Sequence, residues 1–208
     1  MPVRFGSSFC RKYKLEDERC RKFKRLYEKI VNSTPTRLPE HLVAHARDYV
    51  SRIHKALSSG AYVLHTELRT FTDRLMLLEF GVRIGGSSLY RSVLHSTKND
   101  FVELLISLAL GESFELSSQP PVPTITQYFV PNSEGRIKRT KGLPGLGASP
   151  LYVQHQLYDD VGDIVRRPPF RSRASGYFAL RGDSFDLLEQ EAQRLLAGLE
   201  IEVMPLTA

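Results

Sequence analysis

The sequence predicts a mainly α-helical protein with a smaller α+β C-terminal part, its N-terminal two-thirds built like a helical bundle. Two observations carry this expectation. Apolar residues recur at helical spacing through residues 1–111, and after a proline-rich link at 112–124 short β-type runs alternate with Gly- and Pro-rich turns. With 41% hydrophobic and 25% charged residues among 208, the chain can bury a core. The expected organisation is a helical region 1–111, the link 112–124, and a small α+β region 125–208 containing a mobile basic loop at 131–149.

Each element follows from its local pattern. In 12–31, Cys20, Phe23, Tyr27, Ile30 and Val31 lie on one helical face, while Arg21, Lys22, Arg25 and Lys29 fall on another. Pro39 suits the first turn of a second helix, which the Ser58-Ser59-Gly60 run ends. Leu64, Leu68, Phe71, Leu75 and Leu78 are spaced four, three, four and three, which predicts a third helix with a bundle seam. Two short helices are expected over 87–97 and 99–110, with Asn99 or Asp100 as N-cap and Gly111 as the stop. Beyond the link, a strand is expected around Ile125–Val130, and "LYVQHQLYDDVGDIV" and "GYFALRG" read as strands. Asp183 or Ser184 caps a helix with Leu187, Leu188, Leu195, Leu196 and Leu199 on its apolar side, and "EIEVMPL" reads as a last strand.

The net charge of +6 is unevenly placed. Residues 1–30 hold ten Lys/Arg and four Asp/Glu, residues 136–173 hold eight against three, and 183–208 hold six acids against Arg194. Two basic blocks and an acidic tail predict an anionic partner. The apolar run at Phe101–Leu110 is too short to span a bilayer. The N-terminus lacks a secretory h-region, Glu16-Asp17-Glu18 disfavour a transit peptide, and two cysteines make no disulfide framework. A nuclear or cytoplasmic location is therefore expected.

Clustered cations gain phosphate affinity through counterion release, without reading sequence. The residues expected to touch nucleic acid are Arg11, Lys12, Lys14, Arg21, Lys22, Arg25 and Lys29 in the first block. Arg136, Lys138, Arg139 and Lys141 follow in the loop, which also has the composition of a nuclear-import signal, and Arg166, Arg167, Arg171 and Arg173 in "RRPPFRSR". RNA is favoured over duplex DNA, because Tyr13, Phe23 and Tyr27 offer stacking surfaces while "DFVELLISLAL" is too apolar to read a groove.

Other chemistries find less support. Cys10, Cys20, His41 and His45 offer thiols and imidazoles, but nine residues separate the cysteines, more than structural zinc knuckles allow. "GLPGLG" lacks the lysine of a P-loop. "HST" at 95–97 resembles one half of a two-histidine phosphoesterase pair, and no second half occurs. Asp159, Asp160 and Asp163 read as a solvated turn, and Arg181-Gly182-Asp183 as a turn and cap. Leu38-Pro39-x-x-Leu42 resembles the start of F-box helices, including those of some plant-virus silencing suppressors; that resemblance implies that Leu38, Pro39 and Leu42 dock an adaptor protein. The expectation is thus a non-enzymatic, RNA-favouring nucleic-acid-binding protein without catalytic residues, metal or cofactor, of the viral accessory or silencing-suppressor kind. A viral capsid or matrix subunit that forms homo-oligomers and an F-box-like adaptor acting through 38–50 are the alternatives.

Overall fold

A computed structural model of the 208-residue chain describes residues 31–57, 62–71, 74–86, 88–166 and 174–206. The described residues form a mixed α/β structure, about 31% of them in strands distributed over several sheets. This corrects the expectation of a mainly α, bundle-like protein. The predicted helix over 12–31 lies outside the described residues, apart from Val31.

Two compact units divide the chain, one centred on Thr34–Val122 and the other on Pro123–Ala208. In the first, helix α1 (Glu40–Ala56) starts after Pro39, as the sequence predicts. Leu42 and Ala46, one turn apart, bury against Leu75, with Leu38, Tyr49 and Leu68 packed around them. The Tyr49 hydroxyl donates to the Leu75 carbonyl at 3.3 Å, tying the helix to the strand that carries Leu75.

That strand is where the sequence reading fails. The segment with the helical seam is an antiparallel ribbon of β2 (His65–Phe71) and β3 (Arg74–Gly81). A seam of five apolar residues cannot distinguish a helix from two short strands when one of them, Arg74–Gly81, is nearly continuous in apolar residues. Thr66 and Thr70 favour strands, and Leu68 and Leu75 still reach the common core from paired strands.

Helices α2 (Leu89–Thr97) and α3 (Phe101–Leu110) stand as predicted. The Asp100 carboxylate accepts from the N–H groups of Val102 at 2.8 Å and Glu103 at 3.3 Å, and α3 stops at Gly111.

In the second unit, β1 (Val31–Thr34), β4 (Thr124–Phe129), β6 (Tyr152–Leu157) and β8 (Gly176–Arg181) form a sheet of order β1-β4-β8-β6. Strands β5 (Gly135–Lys141), β7 (Ile164–Val165) and β9 (Glu200–Met204) form another, ordered β7-β5-β9. A one-turn helix, α4 (Leu143–Leu146), follows β5. Helix α5 (Phe185–Ala197), capped by the Ser184 hydroxyl, buries Leu188, Ala192 and Leu195 at helical spacing. Ile125, Phe129, Ile137, Phe178, Leu180 and Ile201 complete that core. The core of this unit thus draws on both sheets and α5.

The segment 131–149, expected as a mobile loop, folds into β5 and α4. Its basic residues meet the acidic C-terminal strand. Arg139 contacts Glu202 at 2.7 Å, Lys138 contacts Glu202 at 3.3 Å, and Lys141 contacts Glu200 at 2.9 Å and Glu202 at 3.2 Å. Sequence patterning gave no register with which to pair these two blocks, 60 or so residues apart. Gly142, at φ 85°, then turns the chain so tightly that a Cβ would lie 2.0 Å from the Gly198 carbonyl oxygen.

Two predictions follow from these contacts. Gly142→Ala meets both a left-handed backbone and a backbone clash, so its urea midpoint falls by the equivalent of roughly 2 kcal/mol or more at unchanged m value. Hydrogen bonds first from Arg139, then from Lys141 and Lys138, hold the Glu202 carboxyl at about 2, below the usual carboxylate range. A carboxyl depressed on folding stabilises above its unfolded pKa and loses that contribution as pH falls through its folded value. Glu202→Gln therefore melts slightly below the parent at neutral pH, the pairs being solvent-facing, and the two curves converge between pH of about 4.3 and about 2. A gap that persists at the acid end would separate the effect from the ion network.

Candidate functional site

The alternation of a strand places His65 and Glu67 on one side of β2 and Leu68 on the other. Leu68 packs toward the α1 core, so Glu67 faces away from it. Across the ribbon His65 pairs with Gly81, Thr66 with Phe80 and Glu67 with Glu79. The register then shifts, Leu68 pairing with Leu77, so Leu78 is an extra residue in β3. Unbroken alternation would turn Glu79 to the side of Leu75 and Leu77. The bulge at Leu78 instead sets it directly opposite Glu67.

Two glutamates face to face across a strand pair repel one another. Here a donor atom of His65 and one carboxylate oxygen each from Glu67 and Glu79 all lie within 4.8 Å of one another. His65 and Glu67 are half-buried and Glu79 is exposed, so the cluster opens to solvent on one side. Two carboxylate oxygens and an imidazole nitrogen at these separations are the donor set of a divalent cation.

The turn after β3 shapes the rim. The Arg83 N–H donates to the Gly81 carbonyl at 2.9 Å, and the guanidinium donates to the Ile84 carbonyl at 3.1 Å. The same guanidinium lies 3.4 Å from a Glu79 oxygen. It brings a cation with donors suited to phosphate or carboxylate to the edge of an acidic cluster. Gly85 closes the back: a Cβ there would lie 3.3 Å from His65 Cδ2 and 3.1 Å from Leu89 Cβ, so a larger residue would displace the ring or α2.

Those sequence-predicted contact residues that the structure describes lie on other elements. Arg11, Lys12, Lys14, Arg21, Lys22, Arg25, Lys29, Arg167, Arg171 and Arg173 lie outside the described residues, as do Cys10 and Cys20. Lys138, Arg139 and Lys141 sit on β5 in the ion network, Arg136 donates to the Gly162 carbonyl at 2.5 Å, and Arg166 follows β7. His41 and His45 lie edge to face on α1 with ring centroids 6.5 Å apart. Leu42, offered as an adaptor contact with Leu38 and Pro39, is 4% exposed and belongs to the α1 core. That removes the basis of the F-box reading. The Thr97 hydroxyl donates to the Val93 carbonyl at 2.8 Å, so its role is local to α2.

His65, Glu67 and Glu79 escaped the sequence reading because a helix through 64–78 turns His65 and Glu67 to different sides and leaves Glu79 more than two turns away from them. Two signals could have found them. "HTELRT" holds two β-favouring threonines and a single apolar residue, too polar for a bundle seam, and "LLEFG" follows at a hairpin's distance.

Comparisons with known proteins bear on this arrangement. Residues 127–204 match the family described as L-amino acid ligase C-terminal domain 2. Among curated proteins none matches the chain. The solved L-amino acid ligase from Bacillus licheniformis is 24% identical, with a TM-score of 0.77 over 86% of this chain and 45% of that one. Phosphoribosylglycinamide synthetase from Anaerococcus prevotii is 12% identical, with a TM-score of 0.72 over 85% of this chain and 46% of that one. N5-carboxyaminoimidazole ribonucleotide synthetase from Thermotoga maritima is 16% identical, with a TM-score of 0.64 over 84% and 46%. The chain thus spans less than half the length of each. The chain shares the fold of the matching part of these solved structures.

These findings overturn the reading of a non-enzymatic, RNA-binding viral accessory protein or silencing suppressor, together with its capsid and adaptor alternatives. The matched family and the three structures above carry the names of ligases and synthetases, not of nucleic-acid-binding proteins. Among the described residues no helix is long and apolar enough to cross a membrane.

The facing carboxylates make a direct prediction. A divalent cation at a hundred times its Kd raises the stability of the native chain by about 2.7 kcal/mol, read as a rise in Tm. Glu67→Gln and Glu79→Gln lose most of that rise while keeping the parent's far-UV spectrum. An undiminished rise in both variants would place the ion elsewhere.

Proposed function

We propose that this chain carries the cation- and phosphate-binding share of an ATP-dependent ligase that joins amino acids. The observation that carries the reading is the pair Glu67 and Glu79, set face to face with His65 beside them, in a chain with an ATP-grasp-like ligase fold. The likeness of residues 127–204 to an L-amino acid ligase domain supports the choice of amino acids as the substrate class.

The chemistry suits those residues. A carboxylate and an amine do not condense in water unless the carboxyl oxygen is first made a good leaving group, and a nucleoside triphosphate can do this. Glu67 and Glu79 alone would repel a triphosphate. A bound divalent cation would neutralise phosphate oxygens and draw them to the two carboxylates. Glu67, held in the ribbon and half-buried, fixes the inner side of that site, and Glu79 its solvent side. The Arg83 guanidinium, next to Glu79, offers further donors to phosphate oxygens at the rim. The bulge at Leu78 holds the two carboxylates in this relation before any ligand arrives.

Calorimetric titration with ATP tests the reading. Binding is expected only when a divalent cation is present. Glu79→Gln should weaken it about tenfold or more, and Arg83→Ala by a smaller factor that shrinks with added salt. Equal affinity in the presence of a chelator would overturn the assignment.

A further inference from the structure

The cluster contains one donor that a purely oxygen-lined site for Mg2+ does not need. His65 lies two residues before Glu67 on the same side of β2, and its donor nitrogen is within 4.8 Å of both carboxylate oxygens. Its cross-strand partner is Gly81, where a Cβ would lie 3.4 Å from Arg83 Nε, so glycine leaves room there for the Arg83 side chain. Behind it the ring packs against the Gly85 turn, where a Cβ would come within 3.3 Å of Cδ2. The imidazole is therefore held beside the carboxylates by its strand on one side and the Gly85 backbone on the other.

Building on the cation site proposed above, we infer that His65 is the third protein ligand at Glu67 and Glu79 and that its imidazole selects Mn2+ over Mg2+. Mg2+ is a hard ion that keeps its waters and takes oxygen donors, so an imidazole adds little to its binding. Mn2+ accepts nitrogen more readily and tolerates less regular geometry, and later first-row ions do so more strongly still. A site with two carboxylate oxygens and one imidazole nitrogen gains affinity from the histidine chiefly for those ions. Gly85 is a positioning residue for this ligand, because its missing side chain sets where the ring can lie.

The test uses the full chain and Mn2+ as the probe. Free Mn2+ is counted by its electron paramagnetic resonance signal, Mg2+ is titrated as competitor, and spin-echo modulation of bound Mn2+ reports a directly ligated 14N. The native chain is expected to show the nitrogen modulation. His65→Gln and His65→Asn should lose it, weaken Mn2+ about tenfold or more, and change Mg2+ less than about threefold. Gly85→Ala should weaken Mn2+ in the same direction while leaving the carboxylates in place. Bound Mn2+ that is released in Glu67→Gln yet shows no nitrogen modulation in the native chain would overturn the role of His65 and leave the carboxylate site standing. An unchanged Mn2+-to-Mg2+ ratio in folded His65 variants would do the same. Mn2+ binding that ignores both Glu67→Gln and Glu79→Gln would overturn the cation site and the ligase reading with it. Should neither His65 variant fold, the spectrum of the native chain decides the assignment alone.

Discussion

The candidate centre depends on one pairing. His65 stands opposite Gly81 and Glu67 opposite Glu79, and the register shifts one residue later. Without the extra residue at Leu78, strand alternation would send Glu79 to the side of the α1 core. With it, two carboxylates meet across the ribbon. The Arg83 guanidinium at 3.4 Å from Glu79 offsets part of their repulsion from the rim. A ribbon of two strands is a marginal structure by itself, and here it is anchored through Leu68 and Leu75 to Leu42 and Ala46 of α1. Packing on one side of the ribbon thus holds the two carboxylates together on the other.

Charge plays a different part in the second unit. The basic strand β5 and the acidic strand β9 pair antiparallel, and Glu202 gathers Lys138, Arg139 and Lys141. These pairs are largely exposed, so their contribution to stability is small, but like charges opposite one another would have disfavoured this register. The apparent polarity of the sequence, a basic block followed by an acidic tail, is here an internal match. Part of what looked like a surface for an anionic partner is already satisfied within the sheet.

Several elements were legible because their signals are local. Pro39 begins α1, Asp100 and Ser184 cap α3 and α5 with their side chains, and Gly111 ends α3. The strands β4, β6, β8 and β9 follow from β-branched and aromatic residues between turn signals. The ribbon was missed because Leu64, Leu68, Phe71, Leu75 and Leu78 satisfy a helical period by chance of two strands and a connection. The site was missed with it, since its three residues converge only once that segment is read as a hairpin.

What the sequence determined by itself was therefore the set of capped helices, the alternating strands and the uneven placement of charge. Each of these depends on residues within a few positions of one another. Which strand lies beside which, and in what register, was decided by tertiary structure alone. Register is a relation between distant segments, chosen by how their apolar faces fill a shared core. In this chain it brings Glu79 to Glu67 and His65, and it turns the cations of β5 toward the carboxylates of β9.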